Sequence, residues 1–196
     1  MTSGRRLLSP RGLTTRPTTA RVREAVMNIL APRLEGCRWL DLCSGSGVMG
    51  CEALERGASN VTAVDQDHHC AQISQRNLIS VAKQFDNCPE IQVIRRNMLN
   101  WLRQGWTADP FDLIYFDPPY NADLYQSALT LIGQGGWLVS NGLLICEHRS
   151  GDQPSEIEGW QLLDQRRYGM TSLLLLSPPE HCHRADTDSK QQQKAP

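Results

Sequence analysis

The chain has 196 residues, 40% of them apolar and 21% charged, with a formal net charge of −1. Those values suit one soluble globular domain with a sizeable core. No apolar run approaches the ~18 residues of a membrane span, and the opening MTSGRRLLSPRG lacks the continuous apolar stretch of a secretory signal, so the chain reads as intracellular and cytoplasmic.

Charge is unevenly spread. Residues 1–40 hold eight Arg, no Lys and two acids, a net of +6 that leaves −7 for the remainder. A basic front on an acidic body fits a polyanion touching one end, and fits an ordinary solvated face equally well. The seven cysteines are odd in number and form no C-x-x-C, which points to reduced thiols. His68-His69-Cys70 and His181-Cys182-His183 lack a second ligand pair at finger-like spacing, so no metal site is expected.

In chain order, residues 1–15 read as a basic arm rich in Ser, Pro, Gly and Thr. RPTTARVREAVMNIL then places Val22, Ala25, Val26, Ile29 and Leu30 on one helical face, capped by Thr18 or Thr19 and ended before Pro32. A regular alternation follows: strand 37–43, helix 47–57, strand 60–66, helix 68–83, strand 91–96, short helix 98–104, strand 111–117, helix 122–134 and strand 142–148. WQLLDQRRYGMTSLLLLSP reads as a hairpin turning at Tyr168-Gly169. This order predicts an α/β fold of Rossmann-like form. Its seven-stranded sheet is mostly parallel, with one antiparallel strand from the C-terminal hairpin and helices on both faces. The α/β domain would span 16–178, and 179–196 reads as a disordered tail.

The first strand runs into Gly45-Ser46-Gly47-Val48-Met49-Gly50, a literal G-x-G-x-x-G. Alone it would suggest a dinucleotide. Asp41, four residues before Gly45, would repel a pyrophosphate at the helix N-terminus and attract a cofactor carrying an ammonium, such as S-adenosylmethionine. Asp65 ends the second strand, where a carboxylate can accept from two ribose hydroxyls, or can simply favour a helix N-terminus. Asn97 opens the helix after strand three, as an adenine contact beside the Met98 backbone N–H or as a plain N-cap.

The fourth strand stops on Asp117-Pro118-Pro119-Tyr120. Asp117 and the Pro118 carbonyl can each accept one N–H of an exocyclic amine and hold its nitrogen toward a sulfonium methyl. Tyr120 offers a ring on which a base stacks, worth roughly 1–3 kcal/mol. The target must be unpaired or extruded. A proline-rich turn with Asp117 as a helix cap is the plainer alternative.

RPTTARVREAVMNIL, DLCSGSGVMGCEALERGA, FDLIYFDPPY and RRYGMTSLLLL together resemble the RsmD family over residues 4–177. That family methylates the 2-amino group of a guanine in bacterial 16S ribosomal RNA. The resemblance implies a class I methyltransferase with S-adenosylmethionine as cofactor. It implies 16S RNA or the small ribosomal subunit as partner; no membrane contact and no obligate protein partner are inferred. It assigns catalysis to Asp117, Pro118 and Tyr120, and cofactor contacts to Asp41, Gly45, Ser46, Gly47, Asp65, Gln66, Asn97 and Met98. Arg16, Thr18, Arg21, Arg23 and Pro119 would face substrate. Two departures stand out. Asp65 occupies a usual Glu position, implying a longer or water-bridged ribose contact, and the family's N-terminal strand is nearly absent, implying a shorter RNA-facing arm. A DNA adenine methyltransferase would need a target-recognition domain, and a protein glutamine methyltransferase normally has Asn in place of Asp117. A non-catalytic module would tend to lose the loop or the tetrapeptide, and Asp41 disfavours an NAD enzyme.

Overall fold

The computed structural model describes residues 7–9, 18–119, 124–152, 157 and 159–178. Among these residues five helices and seven strands follow one another as α1 (Ala20–Leu34), β1 (Arg38–Leu42), α2 (Val48–Leu54), β2 (Asn60–Asp65), α3 (His68–Ala82), β3 (Glu90–Arg95), α4 (Met98–Leu102), β4 (Phe111–Phe116), α5 (Tyr125–Gln134), β5 (Leu138–Arg149), β6 (Gln161–Tyr168) and β7 (Thr171–Ser177). One seven-stranded sheet has the order β3-β2-β1-β4-β5-β7-β6, and β7 alone runs antiparallel to the rest. The chain winds outward from β1 to β3, then returns to add β4 on the other side of β1. This reversal opens a crevice between the carboxyl ends of β1 and β4, where open α/β sheets bind their ligands.

Strand alternation sorts the core into two layers. Trp39, Val61, Ala63, Leu113, Tyr115, Ile145, Leu173 and Leu175 pack under α1, α2 and α3. Leu40, Leu42, Ile114, Phe116, Leu144, Leu174 and Leu176 pack over α4 and α5. The central strands are buried on both faces, as parallel strands sandwiched by helices must be. No helix among the described residues is long and apolar enough to cross a membrane.

Several element ends fall one to three residues from expectation, as where α2 stops at Leu54 and α4 at Leu102, and two further boundaries differ for a physical reason. Pro32 lies inside α1 rather than beyond it. Placed in the last turn, it forfeits the single bond its N–H would make to the Asn28 carbonyl. Burial of Leu34, worth about 2 kcal/mol, and the bond from Arg33 Nη1 to the Asn141 carbonyl (2.6 Å) hold that turn in place. β5 begins at Leu138, not at 142. Its register with β4 jumps between Phe111↔Leu138 and Leu113↔Leu143, an irregularity that hides strand periodicity from a reader of the sequence.

Candidate active site

The glycine loop is shaped by tight contacts. Gly47 caps α2 with φ +71°, and a Cβ there would stand 2.5 Å from Ser74 Oγ and 3.1 Å from Ser74 Cα. Only glycine allows α2 to start so close to α3. Gly45 also has positive φ (+55°), yet a Cβ there would meet none of the described residues within 4 Å. Among the described residues the space over Gly45 is therefore open, as a seat for a ligand requires.

Asp41 lies beneath this loop. It is 2% exposed, and its Oδ2 accepts from the Gly50 N–H at 3.3 Å, in the first turn of α2. Burial pushes its carboxyl up to about 7, against the opposing pull of that N–H. Asp65 is half-buried and takes two backbone donors, Gly45 N–H on Oδ2 (2.8 Å) and Asp67 N–H on Oδ1 (2.9 Å). Burial raises it as well, with both N–H groups opposing. Each carboxylate oxygen has a second lone pair for another donor. Gln66 Oε1 accepts from Asn97 Nδ2 at 3.1 Å, which joins the β2 and β3 ends in one rim. Asn97 is also the N-cap of α4, its Oδ1 accepting from Asn100 N–H (3.2 Å), so the plain capping role is filled. The Ser46 carbonyl takes Asn77 Nδ2 (2.9 Å), and Met98 is buried with its Sδ against Cys43 Sγ (3.9 Å).

Asp117 follows β4, and its N–H still reaches the Leu42 carbonyl at 3.4 Å. Asp41 pairs with Tyr115, so Asp117, two residues on, projects from the same face. By the same alternation Asp65 shares that face through Ala63↔Asp41, and Glu147 through Ile145↔Tyr115. Four carboxylates thus come from four neighbouring strands on one side of the sheet. Burial raises Asp117 well above the usual range, and the Glu147 charge adds to it. The Thr18 hydroxyl opposes this by donating to Asp117 Oδ2 at 3.3 Å. Pro118 is buried and Pro119 exposed. Tyr120 and Arg16 lie outside the described residues.

Thr18 is itself held. Arg23 Nη1 donates to the Thr18 carbonyl (2.8 Å), and Arg23 Nε stands 3.6 Å from Glu52 Oε1 on α2. Arg56 Nη1 meets the other Glu52 oxygen at 2.6 Å. Arg23 therefore buttresses the start of α1, whereas Arg21 is exposed. Glu52, Glu147 and Tyr115 were not singled out from the sequence. Tyr115 O–H donates to Glu147 Oε2, and both are buried. A lone acid at the carboxyl end of the apolar run LLICE is the same signal that drew attention to Asp41 and Asp117.

The donor set suits a cationic, ribose-bearing ligand. Two carboxylates flank the loop, Gly45 N–H is already committed to Asp65, and Ser44 Oγ is buried beside the loop with no hydrogen-bond partner among the described residues. A pyrophosphate would find fewer free N–H groups here and more negative charge. The family model described as "Conserved hypothetical protein 95" matches residues 1–177. The chain belongs to this family, the RsmD family. Among relatives of this RsmD-family chain, the Haemophilus influenzae protein named ribosomal RNA small subunit methyltransferase D is 33% identical over 174 residues, covering 88% of each chain. The Escherichia coli K12 protein of the same name is 31% identical over 173 residues, covering 88% of this chain and 84% of its own. The solved structure of yhhF, a candidate methyltransferase from Escherichia coli, superposes with a TM-score of 0.75 at 27% identity, covering 91% of this chain and 94% of the other. The RsmD-family fold is that of class I methyltransferases.

Proposed function

We propose that this enzyme transfers a methyl group from S-adenosylmethionine to the 2-amino group of a guanine in 16S ribosomal RNA of the small subunit. One observation carries the reading: Asp41, Asp65 and Asp117 stand on one face at the reversal point of the sheet, with an open seat over Gly45. The names of the relatives support ribosomal RNA as substrate.

The cofactor would supply an electrophilic methyl on a sulfonium, whose sulfur keeps the C–S electron pair and departs as the neutral thioether of S-adenosylhomocysteine. Asp41 and the glycine loop would face its amino-acid end, Asp65 its ribose, and Gln66, Asn97 and Met98 its base. A cation in the crevice draws the buried carboxyls toward their ionised forms. Asp117 then accepts one N–H of the target amine on a lone pair left free by the Thr18 hydroxyl, and the Pro118 carbonyl accepts the other. Fixing both N–H groups aims the nitrogen and limits reorganisation during transfer. As the methyl arrives, the nitrogen becomes acidic and Asp117 takes its proton.

Incubation with labelled cofactor and, separately, small subunits, naked ribosomal RNA, DNA and protein tests the reaction. Label is expected in small-subunit RNA, with mass mapping giving one methylated guanine. Label confined to DNA adenine or to protein glutamine would replace this reading.

A further inference from the structure

The row of side chains that includes Asp117 continues across the sheet. Glu147 pairs with Leu173 on β7, and Leu173 with Arg166 on β6. One step nearer the carboxyl edge, Arg149 pairs with Thr171, and Thr171 with Tyr168. Arg149, Arg166 and Tyr168 therefore project from the face that carries Asp117. Three inter-strand steps of ~4.8 Å put the Arg166 position roughly 14 Å from that of Asp117. Both arginines are exposed, and Tyr168 is half-buried against the core layer that contains α1.

The segment is pinned by its turn and by hydrogen bonds. Gly169 and Met170 form a two-residue hairpin loop with Gly169 at φ +66°, the geometry such a turn needs at its first position. Ser150 N–H donates to the Met170 carbonyl (2.9 Å), and Ser150 Oγ bonds Ser172 Oγ (2.8 Å), so the end of β5 is tied to the hairpin tip. Arg166 Nε contacts Asp164 Oδ2 at 2.7 Å, with both side chains exposed. An exposed pair of this kind is worth little and exchanges readily for a stronger anion.

The crevice itself cannot hold a phosphate backbone. Its four carboxylates repel one, while extruding a base demands firm anchorage of the strand on either side. Cationic side chains just outside the acidic row, on its own face, meet that need. We propose that Arg149 and Arg166 grip phosphates of the RNA strand flanking the target nucleotide, with Tyr168 as the floor of the ledge. The inference rests on the proposed reaction. A charged outer strand can also serve only to prevent edge-to-edge association. Arg167 separates these roles, because it pairs with Ser172 and projects from the opposite face of β6.

The test uses the full chain, cofactor and small-subunit RNA. Arg149→Ala/Arg166→Ala should raise the KM for RNA roughly tenfold and reduce the slope of log affinity against log salt by about 1.5, at ~0.7–0.9 per lost phosphate contact. The kcat at saturating RNA, cofactor affinity and far-UV circular dichroism should stay at wild-type values. The double Lys variant should recover most of the RNA affinity, and Arg167→Ala should leave it unchanged. An unaltered KM and salt slope in the double Ala variant would overturn the ledge while leaving the reaction standing. So would an equal loss in Arg167→Ala. Failure of the wild type to label or bind small-subunit RNA would remove the proposed reaction and the ledge together.

Discussion

The two sides of the crevice are held together in different ways. On the glycine-loop side, Asp41 bonds a backbone N–H nine residues away and Asp65 one twenty residues away, so the segment from β1 to β2 secures its own acids. On the Asp-Pro-Pro side, Asp117 is met by Thr18, ninety-nine residues earlier, and lies beside Glu147 on a separate strand. A locally closed site can keep its form whatever α1 does. A site closed from a distance responds to the element that closes it.

The sharpest way to break this comparison is at Asp117. Asp117→Ala should cut turnover by about 10³-fold, the scale of losing a positioned base and its electrostatic contribution. Cofactor affinity, which depends on the other side, should change by less than about threefold, an energy well under one hydrogen bond. Isothermal titration and single-turnover rates read the two sides separately; a parallel loss of cofactor binding would merge them.

Next in size is Glu52, which ties α1 to α2 and so joins the two sides. It is buried with Arg23 and Arg56 against it, each arginine side chain 24% exposed. Glu52→Gln leaves two guanidiniums facing a neutral amide. A fully buried pair broken this way loses about 3–5 kcal/mol, so about 2 kcal/mol fits the partial exposure here. The urea midpoint should fall accordingly, with an unchanged m-value.

The cofactor side has its own signature in pH. Burial holds the Asp41 carboxyl up to about 7 in the folded protein, whereas an unfolded chain ionises it near ~4. The folded state thus keeps a proton that the unfolded state loses. The stability this brings is complete below about pH 4 and disappears as pH rises through 7. Asp65 and Asp117 are raised too and act in the same direction. The same rise creates the anion that a cofactor ammonium requires. Stability without cofactor should therefore fall from pH 5 to 8, while cofactor affinity climbs roughly tenfold between pH 6 and 8 as one such group ionises. Asp41→Asn should abolish most of that climb; a climb that persists would assign it to Asp65 or Asp117.

This contrast also explains what was legible in the sequence. The alternation of strands and helices, the hairpin turn at Gly169, the Thr19 cap and the acids at the ends of β1, β2 and β4 are local patterns, and the structure contains them. Glu147 carried the same local mark, but its meaning depends on β5 lying next to β4 in register, a fact of strand order. Arg23 was legible as a charge, not as a brace, because its partner Glu52 sits on another helix. Pro32 was read by its usual effect, which tertiary burial of Leu34 outweighs.

The smallest expected effect is the most direct probe of closure from a distance. Thr18 Oγ1 lies 3.3 Å from Asp117 Oδ2, a long hydrogen bond at a half-buried site. Its net worth should be about 1 kcal/mol. Thr18→Val keeps the shape of the side chain and removes the donor, so α1 should fold as before through the Thr19 cap and the Arg23 brace. Without that donor the ionised form of Asp117 loses support, and its carboxyl moves further up. The kcat should fall about fivefold at neutral pH, as expected for ~1 kcal/mol. The limb of the pH profile on which activity rises with Asp117 ionisation should shift toward alkaline pH. Raising the pH should then restore much of the lost rate, which a general loosening of α1 would not allow. A reduced kcat with an unmoved limb would mean that Thr18 leaves Asp117 before the chemistry begins, and that the far contact acts on substrate entry rather than on the carboxylate.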